Sequence, residues 1–119
     1  MSSCMSFVGI DPGKKGAIAW MDSERKQIEV FDCPLLEDDS FDYESMAQLI
    51  CRARFDGRAV YTMEDVHAMP HDGKCSAFSF GRAYEAWIAV MGAFGEKPSL
   101  VSPQKWKRTM LAGVPNDKQ

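Results

Sequence analysis

The stretch Phe7-Val8-Gly9-Ile10-Asp11-Pro12-Gly13-Lys14-Lys15-Gly16-Ala17-Ile18-Ala19-Trp20 decides how this chain is read. Apolar residues flank Pro12-Gly13 on both sides and form two short strands, and the Pro-Gly pair supplies the turn between them, so the segment is a β-hairpin. Asp11 stands at its lip, at the end of an apolar strand. A second acid is set in the same way, since Glu64 follows the apolar run Ala59-Val60-Tyr61-Thr62-Met63. Two such strands side by side would bring the carboxylates together, which is how a metal site is built at strand ends. Taken alone, Asp11 also suits a turn residue that hydrogen-bonds nearby backbone amides.

Outward from the hairpin, the pattern predicts strands over 6–11, 16–21 and 27–32, a helix over 42–54, a strand over 58–64, a helix over 76–94, a strand over 98–101 and a short helix over 103–111. The first helix places Tyr43, Met46, Ala47, Ile50 and Ala53 on one face, with Asp42 positioned to cap its N-terminus. Strand, helix and strand in that order favour a parallel crossover, so the expected sheet is mixed α/β, three antiparallel strands followed by parallel ones. The second helix aligns Ala77, Phe80, Tyr84, Trp87, Ile88, Met91 and Phe94, with small residues Gly81, Ala83 and Ala86 beside them. Core packing accounts for that stripe, and close packing at a dimer interface is the alternative.

A chain of 119 residues with 45 % hydrophobic content fits one domain with an ordinary core. The net charge of −3 argues against a generic polyanion binder, but residues 95–119 hold five basic and two acidic side chains, so basic character gathers at the C-terminal end. Cys4, Cys33, Cys51 and Cys75 form no C-x-x-C pair, which suggests neither a zinc site nor a disulfide framework, and the expectation is a reduced, cytoplasmic protein. No apolar run approaches the roughly 20 residues that span a bilayer, so no membrane partner is expected.

Four blocks in order, Gly9-Ile10-Asp11-Pro12-Gly13, Glu64-Asp65-Val66-His67-Ala68-Met69-Pro70, Ser79-Phe80-Gly81-Arg82 and Val101-Ser102-Pro103-Gln104-Lys105-Trp106-Lys107, span most of the chain. Together they resemble the phage and prophage branch of the RuvC-type Holliday-junction resolvases. The resemblance implies a ribonuclease-H-like fold, a homodimer, and metal-dependent, structure-selective cleavage of four-way DNA junctions. It implies Mg²⁺ as cofactor, with Mn²⁺ able to substitute, and Asp11 and Glu64 as catalytic metal ligands. Two-metal phosphodiester hydrolysis holds Mg²⁺ ions about 4 Å apart among carboxylates, and Mg²⁺ keeps several waters, so neither His nor Cys is required.

Around that pair, Lys14 and Lys15 lie in the loop after Asp11 and suit a phosphate close to the metals. Arg82 is a further DNA contact or the partner of a nearby acid. Lys105, Lys107 and Arg108 surround Trp106 on the expected last helix and would track phosphates, giving a salt-dependent affinity indifferent to sequence. His67 lies three residues beyond Glu64, where some resolvases place an aromatic wedge, and is either a DNA contact or a solvent-facing loop histidine. Strand alternation points Asp65 away from Glu64 and out of the site.

Resolvases draw two further acids from a late helix, and the sequence reaches Gln119 with Asp117 as its only acid after Glu96. The expectation is therefore a domain truncated at its C-terminus, with an apolar patch left exposed on one face. Two function classes follow: an endonuclease, or a catalytically incomplete module that binds junction DNA without cutting it. An ATP-binding reading of the Asp-x-Gly loop would require two large lobes, which the length does not supply.

Overall fold

The computed structural model describes residues 5–22, 28–54, 57–65 and 74–102, with backbone only for 74–77. The expected helix over 103–111, with Lys105, Lys107 and Arg108, lies outside the described residues, as do His67 and Asp117. The elements are β1 (Met5–Asp11), β2 (Ala17–Asp22), β3 (Ile28–Asp32), α1 (Tyr43–Ala53), β4 (Arg58–Glu64), α2 (Lys74–Ala93) and β5 (Pro98–Val101). They build one five-stranded sheet in the order β3-β2-β1-β4-β5. β1, β2 and β3 pair antiparallel, and β4 and β5 join parallel to β1, so the expected mixed α/β sheet is what forms. Among the described residues no helix is long and apolar enough to cross a membrane.

Alternation along the strands divides the sheet into two unlike faces. Val8, Ile10, Ile18, Trp20, Tyr61 and Met63 turn to one side, where they join Met46, Leu49, Ile50 and Ala53 of α1 and Ala83, Ala86, Trp87, Val90 and Met91 of α2 in a single core. Ile18, Met46, Ile50 and Met63 are fully buried, and each contributes roughly 1.5–3 kcal/mol of apolar burial. α1 is held at its start by Asp42, whose carboxylate accepts from the Ser45 amide at 3.1 Å and the Ser45 hydroxyl at 2.7 Å. These bonds keep the Asp42 carboxyl below its ordinary range. At the far end, Arg54 donates to Glu96 at 2.8 Å and ties the end of α1 to the turn after α2.

The buried face of α2 is rotated from the expected stripe. Ala83 and Ala86, read as small neighbours of the stripe, are in the core, while Tyr84, Ile88 and Phe94 sit at its margin and Phe80 is open. Trp87 and Met91 of the expected stripe are fully buried, and the small Ala83 and Ala86 beside them join them in the contact with the sheet.

No described helix covers the other sheet face. There Phe7, Met21 and Val60 lie side by side on adjoining strands with Ile28 and Val30 beyond them, all exposed. Exposed apolar side chains thus gather on this face.

Tyr61 offers a test of the core. Its hydroxyl is buried without a hydrogen-bond partner, and burial, then the nearby Glu96 carboxylate, pushes its pKa up to about 12 from 10.0. Below pH 10 both folded and unfolded chains keep the proton; between about 10 and 12 only the unfolded chain releases it, so stability falls as pH rises through that window. Thermal unfolding followed from pH 9 upward is expected to lose about 2–3 kcal/mol from this group. Tyr61→Phe should remove that part of the slope and cost little at neutral pH, because no bond is lost. An unchanged slope would assign the alkaline loss to another group.

Candidate functional site

The parallel pairing of β1 with β4 runs to Ile10 opposite Met63, so the next residues, Asp11 and Glu64, emerge together at the carboxyl ends of adjacent strands. Met63 and Ile10 point into the core, and alternation therefore sends both acids to the open face. Carboxyl ends of strands are where open α/β sheets place their ligand crevices. Asp11 is exposed and Glu64 half-buried.

Both acids line two connected features. One is a trough of about 410 Å³ along the open sheet face, floored by Gly9, Ala17 and Ala19, with Thr62 and Val101 alongside. Small residues at alternate positions of β1 and β2 keep this floor low, and an added side chain on Gly9 would meet nothing within 4 Å. The second is a cleft of about 610 Å³ between the hairpin turn and the start of α2, bounded by Lys14, Lys15, Ser79 and Phe80.

The turn that separates Asp11 from β2 is tightly wound. Gly13 takes a φ of +127°, and the Gly16 amide donates to the Gly13 carbonyl at 3.1 Å. The Gly16 carbonyl in turn accepts from the Cys33 amide at 3.0 Å, which pins the turn to the chain leaving β3. Lys14 and Lys15 are thereby held at the cleft.

Arg82 joins them from α2. Its guanidinium lies 5.8 Å from the Phe41 ring centre and 5.8 Å from that of Phe78, while the Lys14 ammonium lies 6.0 Å from the same Phe41 ring. Phe41 is buried and so acts as a fixed aromatic post at which the two cations converge. Among the described residues, ring contacts place Arg82. Phe41 escaped sequence reading because it sits in an irregular segment, paired only through an isolated bridge to Leu35, where no periodicity marks it. Thr62 and the alternating Gly9, Ala17 and Ala19 were legible in principle, as small or polar residues at every second position approaching an acid.

Asp65 behaves as alternation requires. Its amide donates to the Val101 carbonyl at 2.8 Å, and its carboxylate lies near Tyr84 on the helix side, where burial and then the Asp65 and Glu85 charges push the Tyr84 hydroxyl up.

As a donor set, Asp11 and Glu64 offer the hard carboxylate oxygens that Mg²⁺ selects, with open space for the waters it retains. Among the described residues no group of three or more His, Cys, Asp or Glu side chains comes together. No protein-family model matches this chain, and no curated protein matches it.

Proposed function

We propose that this chain is a metal-dependent, structure-selective endodeoxyribonuclease of the RuvC type, with a ribonuclease-H-like fold, acting on four-way DNA junctions as a homodimer. The observation that supports it most is that Asp11 and Glu64 line one cleft with Lys14 and Lys15, while Arg82 shares the Phe41 ring with Lys14. Acids alone would repel a phosphodiester, and cations alone would only bind one. Their juxtaposition suits hydrolysis of a bound backbone.

In this reading Asp11 and Glu64 hold the divalent metal, which when bound supplies an activated water and neutralises charge on the leaving oxygen. Lys14 and Lys15 neutralise the phosphate that enters the cleft and hold the strand across the carboxylate pair. Arg82, fixed against Phe41 and Phe78, meets a neighbouring phosphate and sets the strand direction. The low floor at Gly9, Ala17 and Ala19 leaves the sheet face clear for the approach of the backbone. Two copies would place two such sites on opposed strands of a two-fold symmetric junction.

A second reading, a junction-binding module without catalysis, is favoured by one observation: only two acids converge among the described residues. One assay separates the two. Incubated in Mg²⁺ or Mn²⁺ with a labelled four-way junction and a matched linear duplex, the chain is expected to nick the junction symmetrically and spare the duplex. Tight junction binding without nicking would favour the module. Equal treatment of both substrates would remove the junction from the reading altogether.

A further inference from the structure

Three segments far apart in the chain meet at one ring. Phe41 lies between β3 and α1, Lys14 in the hairpin turn and Arg82 on α2. The Lys14 ammonium is 6.0 Å and the Arg82 guanidinium 5.8 Å from the Phe41 ring centre. The ring is held from several directions. Phe41 is buried and bridged to Leu35, while the next residue, Asp42, caps α1 and donates its amide to the Pro34 carbonyl at 3.1 Å. Phe78 gives Arg82 a second ring at 5.8 Å, but that ring is 69 % exposed and anchors less.

Lysine and arginine side chains left free in solvent sample many rotamers, and a phosphate that binds them must freeze that motion. The negative face of an aromatic ring attracts both cations and narrows their range before any anion arrives. Two like charges drawn to one ring also repel each other, and an anion entering the cleft that Lys14 lines relieves that repulsion. We infer that Phe41, buried out of reach of DNA, is a positioning residue for the DNA backbone: its ring holds Lys14 and Arg82 as a pair, ties the hairpin turn to α2, and so sets backbone affinity beside the acids. The inference rests on the nuclease reading for its ligand and deepens it by naming what fixes the cations that would meet the phosphates.

The test weakens the face of the ring while nearly keeping its shape. Phe41 is replaced by phenylalanines carrying one, two and three ring fluorines, in the full chain with Asp11→Asn so that DNA is not consumed, and affinity for a four-way junction is measured across a salt series. Attraction to a ring is worth about two- to fivefold per cation, so affinity is expected to fall stepwise, by about five- to twentyfold at three fluorines. The slope of log Kd against log salt should flatten by about one, as roughly one phosphate contact is lost. A ring with a merely structural role would shift the unfolding midpoint and leave that slope alone. With Lys14→Gln the fluorine effect is expected to shrink by about half, and with Lys14→Gln and Arg82→Gln together to vanish. The same fluorines at Phe78, which meets Arg82, should act equally with or without Lys14→Gln. Full affinity at three fluorines, a loss with unchanged salt slope, a loss that persists without both cations, or no junction binding at all would overturn the inference. Junction cleavage by the unsubstituted chain with no fluorine effect on binding would overturn this inference alone. A fluorine effect without cleavage would overturn the nuclease reading and leave the role of Phe41 in place.

Discussion

Asp11→Asn is expected to lower junction cleavage by about a thousandfold or more and to leave DNA binding intact. A metal ligand supplies several kcal/mol of charge stabilisation in the transition state, and each 1.36 kcal/mol is a factor of ten, so losing it costs on the order of 10³ in rate. Glu64→Gln is expected to behave alike, because the two acids emerge in register at the ends of adjacent parallel strands. Binding should hold or tighten severalfold, since each change removes a negative charge beside the incoming phosphate. Asp11 is exposed, so its replacement should move folding stability by no more than about 0.5 kcal/mol. Asp65→Asn is the matched control: that acid lies on the helix side near Tyr84 and should retain cleavage within a few fold. Single-turnover cleavage beside junction affinity reads all three. Cleavage that survives both Asp11→Asn and Glu64→Gln would show that hydrolysis is organised elsewhere.

Gly16→Ala is expected to be the most damaging small substitution in the hairpin, lowering stability by about 2–4 kcal/mol and disabling the site with it. A β-carbon there would overlap the Asp11 carbonyl oxygen, lie 2.8 Å from the Asp11 carbonyl carbon and press on the Gly13 oxygen at 3.3 Å. All three neighbours are backbone, so none can rotate aside. Relief requires the turn to open, which breaks the bonds from Gly16 to Gly13 and Cys33 and shifts Asp11 away from Glu64. Gly9→Ala provides the contrast, because the space above Gly9 is empty. Thermal unfolding of the two variants should differ by roughly 10 °C or more, with the loss on the Gly16 side. Similar midpoints would mean that the turn relaxes freely and that Asp11 is not anchored through Gly16.

The legibility of the fold and the site differed for physical reasons. The hairpin, β4 and α1 were readable because each is specified locally, by a Pro-Gly turn, an apolar strand run, and an Asp cap ahead of helical spacing. Asp11 and Glu64 were readable as strand-end acids, and Asp65 as an outsider, from alternation alone. The face of α2 was legible only in part, Trp87 and Met91 being buried but Phe80 open, because how far burial extends along the helix depends on how closely it approaches the sheet. Phe41 was hidden for a related reason: its role comes from where Lys14 and Arg82 end up in space, not from any spacing between them.

By itself the sequence determined the mixed α/β element order, the strand-end placement of two acids and the cation-bearing turn, since propensity, turn chemistry and period-two alternation act over a few neighbouring residues. Only the tertiary structure decided that β1 lies beside β4, that both acids share the uncovered face, that Phe41 gathers Lys14 and Arg82, and that Phe80 stays open to the cleft. Those outcomes depend on contacts between residues tens of positions apart, which the packing of two helices on one sheet face selects and no local pattern encodes.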